Sequence, residues 1–127
     1  MKTNFMILTN NPLVEKELGE EYRVLYYDIS YEDILKKVRD RIYEGHLLLS
    51  HPLSGSVKPN ETPYKSVMIT GEKDQLDMQS MEIIENALQA LRKFEPKSDR
   101  YKPEVYGDFQ LIDYTLIESA IPSAIAW

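Results

Sequence analysis

The chain contains no cysteine. That excludes a disulfide framework, a thiol nucleophile, an iron–sulfur cluster and a cysteine-ligated zinc. Histidine is scarce: with only His46 and His51, a three-histidine metal site is excluded too. A chain without metal or cofactor is therefore expected. Positive charge is also in deficit. Fifteen Lys and Arg against 21 Asp and Glu give a net charge of −6, which is not the footprint of a nucleic-acid binder. Long apolar runs are missing. Phe5–Leu8 is halted by Thr9, Asn10, Asn11 and Pro12, and the stretch from Ile121 to Trp127 is broken by Pro122 and Ser123. Neither is long enough for a signal-peptide core or a bilayer span, so a cytoplasmic protein that avoids membranes is expected. No GxGxxG, GxxxxGK[ST] or EF-hand spacing occurs.

What is present suits one globular α/β domain. The 127 residues are one domain's worth of chain and need no covalent staple to bury a core. Four segments read as strands: Phe5–Leu8, Tyr22–Tyr27, Leu47–Leu49 and Lys65–Thr70. A short helix follows Pro12, with Asn10 or Asn11 as its cap. Ser30 followed by Asp33 marks the start of a second helix, whose Tyr31, Ile34, Leu35, Val38 and Ile42 share a face and which Gly45 ends. Met81, Ile84, Leu88 and Leu91 define a third helix, from Asp77 to Glu95. Phe109, Ile112, Leu116 and Ala120 predict a last helix over residues 109–121, capped by Asp108, with residues 97–108 as a surface loop or linker. The expected fold is a small three-layer sandwich around a mostly parallel sheet of about four strands in the order 2-1-3-4, the first three parallel.

In such sheets a ligand sits beyond the carboxyl ends of the strands. Two segments leave those ends with similar wording: Thr9-Asn10-Asn11-Pro12-Leu13 and Ser50-His51-Pro52-Leu53. If their strands are neighbours, Asn10, Asn11, Ser50 and His51 face one crevice. The plainer reading of the asparagines is helix capping. The loop from His51 to Pro63 adds Ser54, Gly55 and Ser56, a flexible hydroxyl-bearing stretch able to present N–H groups to an anion. Lys58, Asn60 and Lys65 flank it with charge and amide donors. The plainer reading is a surface loop pinned by its prolines. His51 is the candidate acid or base, against a histidine merely bonded to its own turn. His46, after Gly45, reads as a cation at a helix C-terminus. Met78 and Met81 read as core or its edge.

The run Gly45-His46-Leu47-Leu48-Leu49-Ser50-His51-Pro52-Leu53-Ser54-Gly55-Ser56-Val57-Lys58-Pro59-Asn60-Glu61-Thr62-Pro63-Tyr64-Lys65-Ser66 resembles the central segment of the GrdX family. The opening from Ile7 to Val14 and the helix around Ser80–Glu85 are similar to it too, so the resemblance covers most of residues 5–95. It implies a small accessory protein associated with glycine, sarcosine and betaine reductase systems of amino-acid fermentation, of unassigned molecular role. It brings no catalytic residues. Lacking cysteine, the chain cannot carry thiol redox equivalents in such a system.

Three readings follow. The first is a module binding a small carboxylate or phosphate through Asn10, Asn11, Ser50, His51, Ser54, Gly55, Ser56, Lys58, Asn60 and Lys65. The second is an assembly factor for a reductase component, or a homodimer, formed through the apolar C-terminal segment. The third is a small non-redox enzyme with His51 as acid or base and Lys58 or Lys65 stabilising charge.

Overall fold

Strand β1 (Phe5–Thr9) is buried along its whole length because both of its faces are covered by helices. The computed structural model describes residues 4–54, 61–96 and 101–126. Within them β1 is followed by α1 (Pro12–Leu18), β2 (Val24–Tyr26), α2 (Tyr31–Tyr43), β3 (Ser66–Thr70), α3 (Met78–Leu91) and α4 (Pro103–Ala126). Alternation along the strands sorts the core into two layers. Met6, Leu8, Val67 and Ile69 face α2 and α3, where they meet Leu35, Val38, Ile42, Ile84, Leu88 and Leu91. Phe5, Ile7 and Met68 face the other way, onto Val14 and Leu18 of α1 and Ile117 and Ile121 of α4. The expected α/β three-layer sandwich is observed.

The sheet itself differs from expectation. Three strands pair in the order β2-β1-β3, with β1 parallel to β2 and antiparallel to β3. It is a mixed sheet rather than a mostly parallel one of four strands. The leucine run 47–49 lies outside β3, joined to it by the antiparallel bridge Leu48–Ile69. It therefore runs in the direction of β1 and β2, as expected, but Ser66–Thr70 has inserted between it and β1. The reason is burial. Every residue of β3 is buried, whereas Leu47, Leu48 and Leu49 are each only partly covered. The run is an edge, and side chains close it. The Leu47 N–H donates to Thr70 Oγ1 at 2.9 Å and the Leu48 N–H to Ser80 Oγ at 3.0 Å, so neither is left to recruit another strand.

The helix ends follow local chemistry. Asn11 caps α1, its Oδ1 accepting the Leu13 N–H, with Pro12 at the first helical position. Ser30 Oγ accepts the Asp33 N–H at the start of α2. At its end, Gly45 has φ of 114°, and the His46 N–H reaches the Arg41 carbonyl while the Gly45 N–H reaches Ile42. This is a Schellman closure. A Cβ at Gly45 would strike the Asp74 carbonyl, so no other residue fits that turn. Asp77 caps α3 through the Ser80 N–H, and the helix ends at Leu91, four residues short of the expected Glu95.

Two expectations near the C-terminus are corrected. Helix α4 begins at Pro103, whose fixed φ suits a first turn, so residues 103–108 are helical and Asp108 is not a cap. Residues 97–100 of the expected loop lie outside the described residues. The buried stripe is not Phe109–Ile112–Leu116–Ala120 either. It runs Asp113–Ile117–Ile121, while Ile112 is 54% and Leu116 38% exposed. Met78 is exposed, and only Met81 packs against the core. His46, at the corner after α2, is buried. A carbonyl can only accept, so its Nδ1–H donates to Thr70 O at 2.7 Å, and Nε2 has no hydrogen-bond partner. No described helix is long and apolar enough to cross a membrane.

Candidate functional site

Where β1 ends and β3 begins, a buried polar network joins three elements. Asp113, on the inner face of α4, is 5% exposed. Its Oδ1 accepts the Ser66 N–H at 3.0 Å, and its Oδ2 accepts the Ser66 hydroxyl at 2.7 Å and an Asn11 Nδ2–H at 3.0 Å. With the Ser66 proton so placed, the Thr9 hydroxyl donates to Ser66 Oγ at 2.7 Å, and Thr9 Oγ1 accepts the Asn11 N–H at 2.9 Å. Every partner of Asp113 is a donor, which is what an ionised carboxylate requires. The chain of bonds polarises each member in the same sense.

Beside this network lies Lys65, 3% exposed. Its backbone is clamped by Asn10, whose Oδ1 accepts the Lys65 N–H at 2.8 Å. Its ammonium donates to Ser54 O at 2.8 Å and Ser54 Oγ at 2.9 Å, tying β3 to the turn that follows the leucine edge. Burial pushes the Lys65 amine down to about 8, and the negative charge of Asp113 opposes that shift without cancelling it. Lys65 and Asp113 are not within ion-pair distance, and among the described residues the amine's hydrogen-bond acceptors are the neutral oxygens of Ser54.

The Lys65 and Asp113 side chains line a hollow of about 310 Å³ between residues 49–54 and α4. Ser50, His51, Ser54 and Ser66 also line it, as do Leu49 and, from α4, Leu116, Ile117, Ser119, Ala120 and Ser123. Ser50 Oγ accepts the Met68 N–H at 2.8 Å, which leaves its O–H to donate elsewhere. His51 is exposed, and its Nδ1 accepts the Leu53 N–H at 3.0 Å, so the proton sits on Nε2.

The expected single crevice is thus divided. Ser50, His51, Ser54 and Lys65 come together in this hollow. Asn10 and Asn11 do not line it, because β3 stands between β1 and the leucine edge. Asn10 spends its amide on the Ile29 and Pro63 carbonyls, at 2.8 and 2.9 Å, and Asn11 on its cap, Gln110 O and Asp113. Gly55, Ser56, Lys58 and Asn60 lie outside the described residues. Asp113 was not anticipated at all. The one hint was an aspartate flanked by Leu111, Ile112, Leu116 and Ile117 in the helix.

A larger hollow, of about 630 Å³, opens at the N-terminus of α2, with Asn10 in its lining. Asp28, Glu32 and Asp33 line it, so it opposes anions, and Lys36 already sits 3.1 Å from Glu32 and 3.9 Å from Asp33. Among the described residues no group of three or more His, Asp or Glu stands where it could hold a metal ion.

A family model described as "GrdX-like protein" matches residues 6–122. The match reaches past Glu95 and takes in α4 as far as Pro122, so the helix that carries Asp113 belongs to the family's domain. No curated protein and no solved structure matches the chain.

Proposed function

The chain belongs to the GrdX-like family, and on that premise we propose that it is an accessory protein that binds one small anion, a carboxylate or a phosphate, in the hollow over Lys65. One observation carries the reading. A lysine, 3% exposed, lines an open hollow, and among the described residues its amine bonds only the neutral Ser54 oxygens. A buried charge without a counter-charge in contact is costly, and a bound anion would remove that cost. Ser50 and Ser54 are among the residues that line the same hollow.

The test is thermal denaturation of the full chain with phosphate, sulfate, acetate, acetyl phosphate, glycine, sarcosine and betaine. Free ligand at ~100 times its dissociation constant adds about 2.7 kcal/mol, a shift of several degrees in a domain this size. At least one anion is expected to raise Tm, and Lys65→Met to abolish the rise. An equal rise in Lys65→Met would place the anion elsewhere.

A second reading has its own support. Outside the core, α4 exposes Leu111, Ile112, Leu116 and Ile125. The hydroxyls of Thr115 and Ser119, on the same face, bond back to the Leu111 and Leu116 carbonyls at 2.9 and 2.7 Å. Asp108 and Glu118 are exposed on α4 as well, so the face is a mixed one in which large apolar side chains are prominent. This favours assembly, with a second copy or a reductase component, through α4. Light scattering is expected to give a dimer mass that Leu111→Glu reduces to the monomer. A monomeric wild-type chain that retains no reductase subunit would contradict it.

A further inference from the structure

We infer that the Lys65 amine is a covalent site for a small carbonyl compound, an aldehyde or a 2-oxo acid, held as an imine in the hollow that Lys65 lines. The inference goes beyond the anion reading: an anion needs the ammonium, whereas a carbonyl carbon needs the free amine. The bonding of Nζ is the first ground. A lysine ammonium has three protons to donate. Two go to Ser54 O and Ser54 Oγ, at 2.8 and 2.9 Å, and among the described residues none accepts the third. Loss of that third proton keeps both bonds to Ser54 and puts the lone pair where the proton was. Lys65 is 3% exposed yet lines a hollow of about 310 Å³, so the hollow is the space through which a small molecule would reach it.

Protonation is the second ground. Burial lowers the amine to about 8. At pH 7 roughly one chain in ten then carries a free amine at Lys65, against about one in 2,500 for an ordinary lysine. Desolvated lysines of this kind are the ones that add to carbonyl groups. The step balances without oxidant or reductant. The lone pair adds to the carbonyl carbon, and the carbonyl oxygen takes a proton to give a carbinolamine. Nitrogen then expels that oxygen as water and forms C=N. Overall, ammonium and carbonyl give iminium and water, with no net proton taken up. The iminium carries the same single charge as the ammonium, so the favourable pull of Asp113 on that charge is retained. Its one remaining N–H can keep one of the two Ser54 oxygens. Asp113 and His51 are the other titratable side chains among the described lining residues. Asp113 accepts through both oxygens and has no proton to give, so the protons exchanged during the step are those of water in the open hollow.

The experiment is reductive trapping. The full chain at pH 7 is incubated with propionaldehyde or glyoxylate and cyanoborohydride, which reduces an iminium to a secondary amine, and the alkylated lysines are mapped by peptide mass spectrometry. Lys65 is expected to be alkylated at least about tenfold faster than the mean of the other lysines, and the preference to vanish in guanidinium chloride. Lys65→Met is expected to lose the fast phase and keep the slow one. Acetate or phosphate, by favouring the ammonium, is expected to slow the fast phase. Alkylation of other lysines with Lys65 spared, or a preference for Lys65 that survives denaturation, would overturn the inference. A spared Lys65 in a chain whose Tm still rises with an anion would overturn it and leave the anion reading intact. Fast labelling of Lys65 that no anion slows would support it and count against the anion reading.

Discussion

Replacing Asp113 by alanine is expected to lower stability by roughly 3–5 kcal/mol, the largest loss that any polar substitution here should cause. Among the described residues the carboxylate is the acceptor of the Ser66 N–H, and it takes the Ser66 hydroxyl and one Asn11 amide proton as well. Alanine strands those three donors, and hydrogen bonds to a charged group are each worth about 1.5–3 kcal/mol. Water entering from the adjoining hollow would recover part of the loss. Such a deficit is a third or more of the ~5–15 kcal/mol that holds a domain folded. Asp113→Asn is expected to fall between the two, since its amide oxygen can keep the Ser66 N–H but its NH₂ cannot accept from Asn11. Urea denaturation of the three proteins checks this. A loss below about 1 kcal/mol for alanine would mean that α4 is not anchored through this network.

Lysine 65 should give an effect of the opposite sign. Its amine titrates near 8 in the folded chain, against about 10.4 when unfolded. Between those values the unfolded state holds the proton that the folded state has released, so stability rises with pH through that window. Below pH 8 both states are protonated and the full cost of burying the charge is present. A displacement of about two and a half pH units corresponds to roughly 3 kcal/mol. Lys65→Met is therefore expected to be more stable than wild type at pH 7, by up to ~3 kcal/mol, with the gap closing between pH 8 and 10.5. Comparing the two proteins at each pH cancels the titration of tyrosines common to both. A pH-independent difference would mean that the amine is hydrated rather than buried.

The elements were largely legible because local chemistry decided them. Asn11-Pro12, Ser30 with Asp33, Gly45 and Asp77 all act as the caps or stops their residue types imply. Strand order was not legible. Leu47–Leu49 and Ser66–Thr70 are both short apolar runs, and nothing in their wording says which lies next to β1. Burial on both faces decided it, and that is a property of the assembled layers. The inward face of α4 was hidden for a related reason. The helix carries large apolar residues on more than one face, so periodicity pointed to Ile112 and Leu116, whereas the inward stripe contains an aspartate. A charged residue reads as a solvent-facing one until its partners are known, and those of Asp113 lie 47 and 102 residues away. For the candidate site, the sequence singled out Ser50, His51, Ser54 and Lys65, which the fold brings to one hollow, but not the side of it that α4 supplies.

The two faces of α4 link the functional readings. Leu116 borders the hollow and is also part of the exposed apolar surface. A partner seated on that surface would meet the rim of the hollow, so ligand and partner would sense one another through the same residue.

The central claim is that the buried Lys65 ammonium binds a small anion. Its most direct test is NMR titration of the Lys65 side chain in isotope-labelled protein, with and without butyrate. The account predicts that Lys65 titrates near 8 alone and that the anion, which stabilises the charged form, moves the titration upward toward the ordinary lysine value. A Lys65 that titrates near 10.4 in the free protein, or that ignores every anion offered, would contradict it.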